Sequence, residues 1–167
     1  NLTLLADNNL YIGDQANVRI GADGGGALNA NMVANGTAYV GGAGHKLTFD
    51  THGDVNITGG SAISGEAGLQ LAGNVHVVSG NVALTGSSDA KEGVNALANS
   101  TLSVAGGHLD VCGSSNATPN SGDSDHSAGV HLANLTVTSN GSANVAGVGV
   151  SGVYVEGDLT VSDHGSI

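Results

Sequence analysis

Asp50, His52 and Asp54 stand at alternate positions in Asp50-Thr-His-Gly-Asp54, and Asp123 and Asp125 do the same in Asp123-Ser-Asp-His126. Carboxylates two residues apart in a Gly- or Ser-rich turn can converge on a hard cation, so both segments are candidate calcium ligands. The nonapeptide of calcium-binding β-rolls is missing, because no Gly-Gly-x-Gly-x-Asp run repeats. Solvated polar turns are therefore the plainer reading, and the expectation is no cofactor, with calcium the ion these turns would take if any. Tyr11, Tyr39 and Tyr154 are the three aromatic candidates for stacking on a sugar ring. Tyr11 and Tyr39 are 28 residues apart, close to one repeat of the pattern described below, which would place them on one face. Tyr154 falls several repeats away.

Catalysis needs more than this. Glycoside and polyuronide chemistry on elongated β folds calls for a carboxylate pair, or a strong base beside bound metal. There are three glutamates, Glu66, Glu92 and Glu156, all at or next to predicted turns. Asp110 projects from a strand with Ala83 and Asn144 as its expected neighbours, so no carboxylate finds a partner on an adjacent repeat. Serine and histidine are plentiful, but no nucleophile elbow or comparable local motif joins them. His76 and His131 fall in different columns and read as surface residues. The expectation is a protein that is not an enzyme. Cys112 is the single cysteine, so no intramolecular disulfide can form and stability must come from packing.

The elements that position these residues are short. Apolar-x-apolar triplets recur every six to ten residues, among them Leu10-Tyr11-Ile12, Ala38-Tyr39-Val40, Leu47-Thr48-Phe49, Val75-His76-Val77 and Leu109-Asp110-Val111. Side chains alternate along a strand, so the outer two of each triplet go to one face and the polar middle residue to the other. With 29 glycines and 17 asparagines in the chain, no window keeps the apolar period of a helix, while both residues suit the tight turns between triplets. A longer period joins the triplets. Gly68-Leu-Gln-Leu, Gly93-Val-Asn-Ala, Gly129-Val-His-Leu and Gly152-Val-Tyr-Val align at separations of 25, 36 and 23 residues. A second triplet follows each in the register Val75, Leu102, Leu135, Leu159, and a third in the register Val82, Leu109, Ala143, with Ser166-Ile167 to close the last. The pattern predicts an all-β solenoid, a parallel β-helix of about seven coils with three short strands each, roughly 30 to 35 Å long at the usual strand spacing. It forms one unit over residues 1–167, irregular around 23–35, with a polar loop inserted at 114–127. The chain opens without Met or a leader and enters and leaves the pattern in mid-repeat, which suggests a segment of a longer chain or one unit of a filament.

A formal net charge of −11, with three Lys and Arg in all, argues against a nucleic-acid partner, because phosphate neutralisation takes clustered cations. No run of eighteen apolar residues is present to span a membrane as a helix.

The opening Asn1-Leu-Thr-Leu-Leu-Ala-Asp-Asn-Asn-Leu-Tyr-Ile and the later Gly53-Asp-Val-Asn-Ile-Thr-Gly-Gly resemble the short repeats of filamentous-haemagglutinin-type adhesins and autotransporter passenger domains. The stretch from Gly129 to Ile167 is similar to β-helical repeats of large bacterial surface proteins, some of them carbohydrate-binding. The resemblance implies a right-handed parallel β-helix, exported to the bacterial cell surface or secreted. Two roles follow as expectations. The first is a non-catalytic structural and adhesive segment whose partners are a glycan or other cell-surface component and, through end-to-end stacking, its own copies. The second is a carbohydrate-binding module assisted by calcium.

Overall fold

The computed structural model describes residues 1–21, 26–62, 65–118 and 127–167. Sixteen strands, numbered in chain order, are found among them. Six three-residue strands form one sheet: β2 (Leu10–Ile12), β5 (Ala38–Val40), β7 (Leu69–Leu71), β9 (Val94–Ala96), β12 (Val130–Leu132) and β15 (Val153–Val155). The other sheet has ten strands. One of its columns contains β1 (Leu2–Ala6), β4 (Ala30–Ala34), β11 (His108–Ser115) and β14 (Ser142–Val148). The other contains β3 (Val18–Gly21), β10 (Thr101–Val104), β13 (Asn134–Val137) and β16 (Leu159–Val161). β6 (Lys46–Ser61) and β8 (Asn74–Ser88) run through both columns. Every pairing is parallel, so each strand lies on its counterpart from the neighbouring coil. The chain is a β-solenoid.

The sequence registers hold. Leu102 lies between Val75 and Leu135, Leu135 pairs with Leu159, and Leu109 lies between Val82 and Ala143. Ser166 bridges Ser142 and begins the last level of that column. Like side chains therefore stack on like inside, and Leu47, Phe49, Val55, Ile57, Leu84, Leu109 and Leu132 are all fully buried. The coils at either end carry the same columns outward: Leu4, paired with Met32, is 40 % exposed, and Leu159, paired with Leu135, is 54 % exposed.

Several expectations need correction. The solenoid has about five turns rather than seven, because the coils are longer than the shortest repeats suggest. Tyr39 sits directly over Tyr11 at 28 residues and Gln70 over Tyr39 at 31. The strands are not uniformly short, since β6 has 16 residues and β8 has 15. Within the stretch around 23–35 that the repeat pattern fits poorly, Ala30–Ala34 is a regular strand paired on both sides. In the stretch taken as an inserted loop, Ser114 and Ser115 belong to β11 and pair with Ser87 and Ser88.

Close backbone approach explains the recurrent glycines. The amide of Leu69 donates to the Gly93 carbonyl at 2.9 Å and that of Val94 to the Gly129 carbonyl at 3.0 Å, at the corner where the long strands meet the short sheet. Facing those carbonyls are Gly86 and Gly113, where a Cβ would come within 2.0 Å of the Gly93 and Gly129 oxygens respectively. Only glycine lets the corner close this tightly.

Candidate functional site

The middle residues of the short-sheet triplets form an outward ladder of Tyr11, Tyr39, Gln70, Asn95, His131 and Tyr154. The structure brings Tyr11 and Tyr39 together as their spacing predicts. Their rings stack with centroids 4.6 Å apart and planes within 2°. The ring faces point along the solenoid axis, so Tyr39 has one face against Tyr11, and its outward presentation to solvent is edge-on. The Tyr39 hydroxyl donates to Glu66 Oε2 at 3.0 Å. Partial burial, with the Glu66 carboxylate beside it, raises that phenol above its ordinary range. Beside the pair runs a groove of about 310 Å3, lined by Tyr11, Asp14, Tyr39, Gln70, Ala72 and Leu97. Tyr154 is apart from both, tilted against His131 with centroids 5.0 Å apart. His131 Nε2 is in turn 3.6 Å from Glu156 Oε2.

Asp50, His52 and Asp54 do not form a turn. They lie within β6, where Thr51, His52 and Gly53 bulge opposite Gly80 while Asp50 pairs with Ser79 and Asp54 with Asn81. Thr51 keeps the chain extended through this bend. Its buried Oγ1 accepts from the amides of Leu28 at 2.7 Å and Gly53 at 3.1 Å. Both carboxylates are engaged by neighbouring coils: Arg19 Nη2 is 2.9 Å from Asp50 Oδ2, Ser79 Oγ donates to Asp50 Oδ1 at 3.0 Å, and Asn81 Nδ2 donates to Asp54 Oδ1 at 2.8 Å. Arg19 and then Ser79 hold the Asp50 carboxyl below its usual range. Among the described residues no group of three His, Cys, Asp or Glu side chains is gathered as a metal would require. Asp123 and Asp125 lie outside the described residues.

Cross-coil pairs of this kind recur around the solenoid. Asn116 Nδ2 donates to Asp89 Oδ1 at 3.0 Å and Asn144 Nδ2 to Asp110 Oδ1 at 3.1 Å. Two histidines meet serines one coil away, His76 Nδ1 with Ser103 Oγ and His108 Nδ1 with Ser142 Oγ, both at 2.7 Å. Desolvation, then the charge of Lys46, depresses the basicity of His76. His108 Nε2 also lies 3.2 Å from Asp110 Oδ1, which makes a Ser142–His108–Asp110 constellation. Motif reasoning along the chain missed it because its members come from two coils. The repeat register would have found it, since His108 and Ser142 each stand one residue before the aligned Leu109 and Ala143. Of the three glutamates, Glu92 is 1 % exposed, so it cannot meet a substrate on the surface. Cys112 is half-buried in an outer column between Thr85 and Ala146.

Compared with models of protein families, with curated proteins and with solved structures, the chain matches none. Among the described residues no helix is long and apolar enough to cross a membrane.

Proposed function

We propose that this chain is a structural and adhesive β-solenoid segment of an extracellular bacterial surface protein or filament, a stiff spacer that presents its side faces to a host or environmental surface. The observation that carries the reading is the register. Each coil is tied to the next by a backbone ladder inside and by side-chain pairs such as Arg19–Asp50, Asp54–Asn81 and Asp110–Asn144 outside. A scaffold so connected stacks indefinitely in principle and transmits load from coil to coil. The aliphatic columns that the end coils carry to solvent suit a further β-solenoid coil, whether from the same polypeptide or from another copy stacked end to end. A glycan or other cell-surface component is the partner expected at the sides.

A carbohydrate-binding module is the second reading, favoured by the groove beside Tyr11 and Tyr39. One experiment separates the two. Beads coated with the chain are applied to intact cells and to a panel of immobilised glycans, with and without a calcium chelator. The structural and adhesive reading expects retention on cells that Tyr39→Ala leaves largely unchanged. Retention on particular glycans that Tyr11→Ala or Tyr39→Ala abolishes selects the module, and loss with chelator would add calcium to it. No retention on any surface removes adhesion from the proposal.

A further inference from the structure

We propose that Ser142 is a nucleophilic hydroxyl, activated by His108 and Asp110, that accepts acyl groups from esters. The inference does not rest on the adhesive reading. β11 and β14 place His108 opposite Ser142 and Asp110 opposite Asn144. His108 and Asp110, two residues apart on one strand, point to the same side. Ser142 Oγ is 2.7 Å from His108 Nδ1, against 3.4 Å from the Gly107 carbonyl, and His108 Nε2 is 3.2 Å from Asp110 Oδ1. A neutral imidazole carries one N–H. The carboxylate can only accept, so it selects the Nε2–H tautomer and leaves the Nδ1 lone pair facing the serine hydroxyl. Asn144 Nδ2, donating to the same Asp110 oxygen at 3.1 Å, steadies the carboxylate. This is the division of roles of a Ser-His-Asp triad with the two ring nitrogens exchanged.

In the reaction, Ser142 Oγ attacks the ester carbonyl carbon while its proton passes to His108 Nδ1. Asp110 stabilises the imidazolium through Nε2–H. The tetrahedral intermediate then collapses, the bond to the alkoxy oxygen breaks, and that oxygen takes the proton from Nδ1 and departs as the alcohol, leaving Ser142 acylated. Water adds to the acyl carbonyl by the same route, with its proton taken by Nδ1 and returned to Ser142 Oγ as the carboxylic acid is released. The His108 and Asp110 side chains are 38 % and 41 % exposed, so the site is open to solvent and suits small, activated esters.

The protein contains its own comparison. His76 and Ser103 have the same 2.7 Å contact across two coils, but the residue two after His76 is Val78 in place of an aspartate. General-base assistance by a positioned side chain is worth roughly 100- to 10,000-fold, and because both serines have a histidine at 2.7 Å their ratio reads what Asp110 adds. The test treats the full chain with p-nitrophenyl acetate, quenches with acid at early times before the acyl group can hydrolyse, and reads the initial rate of acetylation of each residue by peptide mass spectrometry. Ser142 is expected to acetylate at least about tenfold faster than Ser103. Asp110→Asn is expected to bring Ser142 down to the rate of Ser103, and His108→Gln, which removes the base that Ser103 keeps in His76, to bring it lower still, with both folds checked by circular dichroism. Acetylation of Ser142 no faster than that of Ser103 overturns the proposal, and this comparison in the unaltered chain needs no variant to fold. An unchanged Ser142 rate in a folded His108→Gln protein overturns it as well.

Discussion

Replacing Gly113 with alanine tests the reason for the glycine columns. The new Cβ would lie 2.0 Å from the Gly129 oxygen, 2.7 Å from its carbonyl carbon and 2.8 Å from Val130 Cγ2. The nearest of these must move by more than 1 Å to reach ordinary contact, and it is the carbonyl that accepts from the Val94 amide at 3.0 Å. Overpacking of a tight interior costs about 1 to 3 kcal/mol, and loss of the hydrogen bond adds about 1 kcal/mol. The lower backbone entropy of alanine in the unfolded chain returns about 0.5 to 1 kcal/mol. The net cost is about 2 kcal/mol, which in a chain of this size lowers the melting temperature by roughly 6 °C. Gly60→Ala is the control, because a Cβ there meets nothing nearer than Ser87 Oγ at 3.4 Å. It should raise stability by about 0.5 to 1 kcal/mol, the entropy term alone. Urea titration and thermal melting followed by circular dichroism measure both. Equal stabilities for the two variants would refute the steric account of the corner.

Thr51→Val should destabilise the chain by about 1 to 3 kcal/mol, read by urea titration, because it leaves the Leu28 amide without the acceptor that Thr51 Oγ1 supplies. For Asp50, the folded carboxyl sits below its ordinary value of 3.8, so its contribution is present above that pH and is lost as pH falls through the folded value. Asp50→Asn should therefore be less stable than the parent at neutral pH, and the gap should narrow progressively below pH 3.8 in acid titrations of stability.

The architecture was legible where repeats carry large aliphatic residues at fixed offsets. Val75, Leu102, Leu135 and Leu159 mark one column and Val82 and Leu109 another, and the structure stacks them as aligned. β4 was missed because its inward residues are Ala30, Met32 and Ala34, which announce a strand weakly. The continuity of β6 was hidden for a different reason. His52 and Gly53 look like a turn, and the bonds that keep the backbone extended come from adjacent coils, among them those of the inward Thr51 side chain with Leu28 and of the Asp54 amide with Asn29 Oδ1. The glycines before the short-sheet triplets were visible as punctuation, but the facing Gly86 and Gly113 acquire meaning only once the corner is closed. The Tyr11–Tyr39 pair followed from spacing alone, whereas the orientation of its rings, parallel with centroids 4.6 Å apart, needed the structure. The Ser142–His108–Asp110 group shows the general limit. Motifs are sought along the chain, and in a solenoid neighbours are a full coil apart.

The proposed spacer role requires that successive coils hold one another in a single register that bears load. Pulling one molecule from both ends in a force spectrometer tests it directly. Resistance followed by discrete unfolding events is expected, each releasing chain in multiples of one coil, roughly 100 Å for a coil of about 28 residues. Smooth, featureless extension at low force would contradict it.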